Sequence, residues 1–191
     1  MIKFLAVMIM VFARQPVFAI EKCSYELKSE NIKLVFNFYE GNLKKEQKGY
    51  FTTVESKGTL FGNSPRDIFK GISFYLPFKS LNTFNSKRDR MIYSALIKGQ
   101  KAGSDRILIK IKKLKKREVD LEIDINGKIV NTTFELETQD VSLQSIGHLD
   151  IKDFKLSPIK NAVQKAFAIK VWDDVYIDLK IKFNKKCEVE L

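Results

Sequence analysis

Apolar and polar side chains alternate with a period of two in segment after segment of this chain. The clearest run is Val175-Tyr176-Ile177-Asp178-Leu179-Lys180-Ile181-Lys182-Phe183, in which every odd position is apolar. Successive side chains on a strand point to opposite faces, so this run predicts a strand with one buried face and one wet face. Residues 32–39, 107–112, 119–125 and 130–136 repeat the pattern. So many one-sided strands predict an all-β fold, a single antiparallel sheet closed into a β-barrel around its own apolar face. Function then lies largely in what that interior holds.

Two hairpins can be set in register from the sequence. Asn126-Gly127 lies between two alternating runs, and both residues tolerate the positive φ of a type I′ turn. A two-residue turn there pairs Ile125 with Lys128, Ile123 with Val130, Leu121 with Thr132 and Val119 with Phe134. The hairpin before it, turning near Lys115-Lys116, sets Ile111 beside Leu121 and Ile109 beside Ile123. That register puts Lys112 opposite Asp120 and Lys110 opposite Glu122. The outward Asp120, Glu122 and Asp124 thus read as a salt-bridge ladder, not as a catalytic or metal-binding set. Two stretches break the alternation. Residues 86–98 carry Met91, Ile92, Ala95 and Leu96 at helical spacing, and residues 157–168 carry Ile159, Ala162, Val163 and Phe167 behind Pro158. Both predict short helices covering an opening or a side of the sheet.

The N-terminus reads as a targeting segment rather than as structure. Lys3 precedes an unbroken apolar run over residues 4–12, and Val17-Phe18-Ala19 offers small residues where a signal peptidase reads. Cleavage is expected after Ala19, leaving residues 20–191 as one exported domain, periplasmic or secreted. The apolar run is shorter than the roughly 20 residues a membrane-spanning helix needs. The chain has two cysteines, Cys23 near the new N-terminus and Cys187 near the C-terminus. In an oxidising compartment such a pair predicts a disulfide, here between antiparallel first and last strands at the seam of the barrel.

Formal net charge is +11, and loss of Lys3 and Arg14 with the signal lowers it to +9. An exported protein this basic is drawn to acidic surfaces, so an anionic membrane surface is a candidate partner. Lysines alternating with apolar residues along strands are spread around an outer wall, which argues against nucleic acid. The dense Lys112-Lys113-Leu114-Lys115-Lys116-Arg117 reads as a solvated hairpin tip.

A set of motifs in order along the chain resembles the YceI-like family. They are Tyr25-Glu26-Leu27 with the strand at residues 32–38, the glycine-aromatic stretch Lys48-Gly49-Tyr50-Phe51 with Gly58 after a bend, and Ser80-Leu81-Asn82-Thr83 followed by Arg88-Asp89. Asp124-Ile125-Asn126-Gly127 and Gly147-His148-Leu149-Asp150-Ile151-Lys152-Asp153-Phe154 complete them. The resemblance spans Tyr25 to about Phe183, and implies an exported lipocalin-like barrel that binds polyisoprenoid lipids. The chain departs from that pattern at Leu96-Ile97-Lys98-Gly99-Gln100-Lys101, where an aromatic segment and a proline are usual. It departs again at Lys155, where a glycine is usual.

Strand parity and the resemblance together nominate an apolar lining: Ile32, Leu34, Phe36, Phe38, Phe51, Ile72, Phe74, Leu76, Ile107, Ile109, Leu121, Ile123, Phe134, Ile177 and Leu179. A small closed sheet either packs its interior solid or keeps a cavity, and parity does not separate the two. With a cavity, the expected ligand is a long-chain isoprenoid such as a quinone tail, with Arg88, Asp89 and His148 as candidate headgroup contacts. With a packed core, the basic exterior acts instead on an acidic partner or membrane surface. No HExxH, GxSxG or phosphate-binding glycine loop occurs, and the single His148 has no nucleophile beside it in sequence, so neither catalysis, nor a metal, nor a resident cofactor is expected.

Overall fold

A computed structural model of the chain describes residues 20–98 and 105–190. The signal segment expected at residues 1–19 lies outside the described residues, as do Gly99, Gln100 and Lys101 of the divergent stretch. The elements in chain order are β1 (Ile20–Glu26), β2 (Ile32–Glu40), β3 (Lys45–Phe51), β4 (Glu55–Gly58), β5 (Phe61–Gly62), α1 (Pro65–Lys70), β6 (Ile72–Pro77), β7 (Leu81–Asn82) and α2 (Ser86–Lys98). They continue with β8 (Arg106–Leu114), β9 (Glu118–Ile125), β10 (Lys128–Thr138), β11 (Ser142–Asp150), α3 (Ser157–Phe167), β12 (Val171–Lys182) and β13 (Asn184–Glu190).

Ten strands form one curled antiparallel sheet in the order β4-β6-β8-β9-β10-β11-β12-β2-β3-β7. The chain runs from β3 directly through Thr52-Thr53-Val54 into β4, at the other end of that order. One bent strand therefore joins the two ends and curls the sheet into a lipocalin-like barrel. The segment paired with it bends as well, because β6 pairs with β4 and β7 with β3. Hydrogen bonds fix this corner: the Thr52 amide donates to the Ser80 carbonyl at 2.8 Å, and the Ser80 hydroxyl donates to the Pro77 carbonyl at 2.8 Å.

The Asn126-Gly127 hairpin has the expected register, with Ile125 opposite Lys128 and Phe134 opposite Val119. Both turn residues have positive φ, 56° and 73°. The β8–β9 hairpin matches expectation from Ile109–Ile123 to Ile111–Leu121, then shifts by one. Lys113, not Lys112, stands opposite Asp120. The slip has a packing reason. A bulge at Lys112 reverses the parity of the residues beyond it, so Leu114 turns inward opposite the buried Val119 while Lys113 stays in water. Lys112 instead joins Lys110 on the Glu122 carboxylate, at 3.0 and 2.8 Å.

Cys23 and Cys187 are bonded, and they face each other in register between β1 and β13. The bridge does not lie at the barrel seam. Strands β13, β1 and β5 form a separate three-stranded sheet. α1, which the alternation pattern does not reveal, begins at a Ser64 cap followed by Pro65 and sinks Ile68 and Phe69 fully. With Tyr25 and Leu27 these residues belong to the single core cluster that packs one part of the barrel solid. α2 occupies the predicted span and packs against α3, which in turn packs on β12. On α3, Ile159 and Val163 turn toward the barrel, whereas Ala162, placed on the same side by spacing, is exposed.

Candidate functional site

Beneath α2 and α3 the interior is not filled. A cavity of about 230 Å³ remains there, with an almost wholly apolar wall. Of the nominated residues, Leu34, Phe36, Phe38, Phe51, Leu76, Ile107, Ile109, Ile123, Phe134 and Ile177 line it. Ile32, Ile72, Phe74, Leu121 and Leu179 are not on that wall; they are buried in the packed part of the core. Parity identifies the inward face correctly for all of them. It cannot say how far along the strand packing ends and open space begins. The rings of Phe36, Phe38 and Phe51 cluster at centroid separations of 6.0 and 5.9 Å around Phe36.

Arg88 is on the cavity wall, and each of its three guanidinium nitrogens already has a partner. Its Nε donates to the Thr83 hydroxyl and one terminal nitrogen to the Thr83 carbonyl, each at 2.7 Å. The other terminal nitrogen binds Glu40, and the guanidinium carbon stands 4.9 Å from the centre of the Phe38 ring. Asn85 sets the start of α2 by accepting the Arg88 amide at 3.0 Å, which aims this side chain inward. Asp89 does not reach the cavity wall. It accepts from the Thr83 amide at 3.0 Å and from the Thr83 hydroxyl, so it holds the residue that holds Arg88. His148 is on the outer face of the barrel, bonded to Asp174 at 3.1 Å with its ring 5.1 Å from that of Tyr176. The expected headgroup trio is thus not assembled.

Four other polar or amphipathic groups stand on the wall beyond those expected from the sequence: Glu40, Thr83, Lys160 and Trp172. Glu40 continues the inward parity of Leu34, Phe36 and Phe38. Lys160 sits at helical spacing from Leu156 and Val163, so both were legible as charges on an apolar face. Lys160 binds Asp173, which Lys152 also reaches at 2.9 Å. Burial works to raise the Asp173 pKa, but the bonds from Lys160 and Lys152 outweigh it and hold the carboxyl below its ordinary value. The indole of Trp172 donates to the Gly41 carbonyl at 3.0 Å, and the Gly41 amide donates to the Lys170 carbonyl at 2.8 Å. These bonds staple the β2–β3 turn to the start of β12 at the cavity rim. Both cations on the wall, Arg88 and Lys160, are therefore neutralised by carboxylates within the protein. Among the described residues, no group of three or more His, Cys, Asp or Glu is placed to hold a metal ion.

Among solved structures, a polyisoprenoid binding domain from Saccharophagus degradans is similar to this chain. It has a TM-score of 0.63 at 11% identity, covering 85% of this chain and 98% of that one. BcnA of Burkholderia cenocepacia matches with a TM-score of 0.56 at 11% identity over 82% of this chain and 98% of the other. The Campylobacter jejuni YCEI protein matches at 0.50 with 16% identity, over 76% and 87%. These identities establish likeness of fold. Among curated proteins none matches the chain. The model of the YceI-like domain matches residues 25–183, nearly the whole described chain, and the protein belongs to that family.

Proposed function

We propose that this protein is an exported carrier that holds a long-chain isoprenoid lipid with an uncharged head, such as a quinone, in the cavity beneath α2 and α3. The observation that carries this reading is an apolar cavity whose wall contains two cations, Arg88 and Lys160, each already paired with a carboxylate. Burial of the lipid's apolar surface supplies the affinity, about 25 cal/mol per Å² before ordering costs. A free phosphate or diphosphate head would have to displace Glu40 or Asp173, leaving a carboxylate unpaired near low-dielectric surroundings. A neutral carbonyl head meets no such cost. At about 230 Å³ the cavity is smaller than ordinary ligand pockets of about 300–1,000 Å³, so a long tail fills it and continues out through its mouth.

Supporting the isoprenoid assignment are the family membership and the likeness to a domain described as polyisoprenoid binding. Supporting export are the N-terminal segment with its small residues before Ala19 and the Cys23–Cys187 bridge. No covalent chemistry is part of this role. Organic extraction of the purified protein followed by mass spectrometry tests it. A stoichiometric neutral isoprenoid is the expected product. Exclusive recovery of prenyl diphosphates would overturn the headgroup assignment, and failure to bind any added isoprenoid would overturn the carrier role.

A further inference from the structure

The turn between β2 and β3 carries Leu43 at 95% exposure, the most exposed large apolar side chain among the described residues. Hairpin turns ordinarily carry polar or glycine residues, and a leucine there gains nothing from folding. Isolated exposed leucines are common on protein surfaces, but the surroundings of this one are not random. The bonds from Gly41 to Lys170 and Trp172 fix the turn beside the rim residue Trp172. Lys44 lies 5.0 Å from the Tyr39 and Trp172 rings, and Lys170 lies 3.8 Å from the Trp172 ring. Three carboxylates near the turn are committed, Asp174 to Lys44 and His148, Asp173 to Lys152 and Lys160, and Glu40 to Arg88, while the exposed Glu46 beside Lys45 is not in an ion pair among the described residues. Among the described residues, neither Lys45 nor Lys170 has an ion-pair partner.

We infer that this rim docks on the surface of an anionic lipid bilayer, with Leu43 inserted among the acyl chains, Trp172 at the interface and Lys45 and Lys170 against the lipid phosphates. An apolar tip, an amphipathic aromatic ring and uncompensated lysines on one edge is the arrangement that interfacial binding selects. The net charge, +9 once Lys3 and Arg14 leave with the signal segment, acts in the same sense. Since Glu40 and Trp172 also line the cavity, docking here turns the cavity mouth toward the membrane. A lipid then passes between bilayer and barrel without crossing water. The docking itself does not depend on which molecule the cavity holds, because Leu43 is not on the cavity wall.

The chain has a single tryptophan, so Trp172 emission reports on this rim and the adjoining cavity wall, and sedimentation separates docking from cavity filling. Purified protein is mixed with phosphatidylcholine vesicles with and without phosphatidylglycerol at about one part in three, and both sedimentation and emission are read. The expected result is salt-sensitive binding to the anionic vesicles with a blue shift. Leu43→Asp, Leu43→Ser and the pair Lys45→Glu with Lys170→Glu should each reduce partitioning at least about fivefold while the thermal transition stays in place. Equal binding to neutral and anionic vesicles, binding without a shift of Trp172 emission, or undiminished binding by all these variants would each overturn the inference.

Discussion

Phe134 occupies the space in which a side chain on Gly147 would stand: a β-carbon there would lie 1.9 Å from the Phe134 Cδ1 atom. The same relation recurs at Gly49, where a β-carbon would meet the Phe36 ring at 2.2 Å. Both rings are on the cavity wall. Each glycine thus lets a large ring lie back against the neighbouring strand instead of projecting into the open interior.

Gly147→Ala is therefore expected to push Phe134 into the cavity, at a cost of about 1–3 kcal/mol for overpacking. Urea denaturation measures the loss. Adding Phe134→Leu to Gly147→Ala should recover most of it, because the smaller side chain vacates the contested space. Strictly additive losses in the double variant would mean that the ring is not what the alanine meets.

Arg88 and Glu40 form an ion pair with side-chain exposures of only 9% and 15%. Removing one member leaves the other charge poorly solvated, so Arg88→Met is expected to cost about 3–5 kcal/mol. Glu40→Gln keeps a hydrogen-bond acceptor and should cost less. Both are read as shifts of the denaturant midpoint. A loss under about 1 kcal/mol for Arg88→Met would put the pair with solvent-screened surface bridges and remove its role as the lock between α2 and β2.

Much of the barrel is legible in the sequence because a period of two has only two phases. Once Ile123 and Ile125 are inward, Val119 and Leu121 must be inward too, and the Asn126-Gly127 turn carries that choice into β10. The bulge at Lys112 escapes this logic, since alternation across a bulge looks like two separate runs. The disulfide partners are fixed by their number, but their place in a separate small sheet depends on β5, two residues long and invisible to periodicity. The cavity wall is half legible. Parity marks inward residues, whereas the boundary between packed core and open space depends on α1 and the three-stranded sheet filling one part and not the other. Arg88 is found by its motif, yet its role reverses once Thr83 and Glu40 are seen to engage all three of its guanidinium nitrogens.

Lys155 has φ of 57°, the left-handed region that glycine adopts freely. This is the position at which the sequence departs from the glycine usual in the family. A lysine there bears a steric cost between its β-carbon and the carbonyl, partly offset by a less flexible unfolded chain. Lys155 also lies beside Lys128, whose amine it holds below the ordinary lysine value through direct contact and like-charge repulsion. Lys155→Gly is expected to raise stability by about 1 kcal/mol, and Lys155→Val to lower it, in paired thermal or urea melts. A destabilised glycine variant would show that the side chain contributes a contact worth more than the backbone strain.

The Cys23–Cys187 bridge closes a sequence separation of 164 residues. Loop-closure entropy for so long a ring gives at most about 5 kcal/mol, and less if the reduced chain remains compact. Reduction, or Cys23→Ser with Cys187→Ser, should lower the denaturation midpoint while leaving the barrel folded, because the bridge joins β1 and β13 outside the ten-stranded sheet. Loss of all near-ultraviolet signal on reduction under native conditions would instead make the barrel dependent on the small sheet.

Asp173 ties α3 to β12 through Lys160 and reaches Lys152 from the preceding turn. Although burial opposes ionisation, the two lysine bonds leave its folded pKa below that of a free aspartate. A carboxylate depressed in this way adds stability at pH above its unfolded value and gives it up as pH falls through the folded one. Asp174, held low by Lys44 and His148, acts in the same direction. The stability gap between the native chain and Asp173→Asn should therefore be constant near neutrality, begin to shrink below about pH 4, and largely close under stronger acid. Urea melts across that range measure it. A gap that persists undiminished in strong acid would mean that Asp173 stabilises the α3 cover by packing and not by its charge.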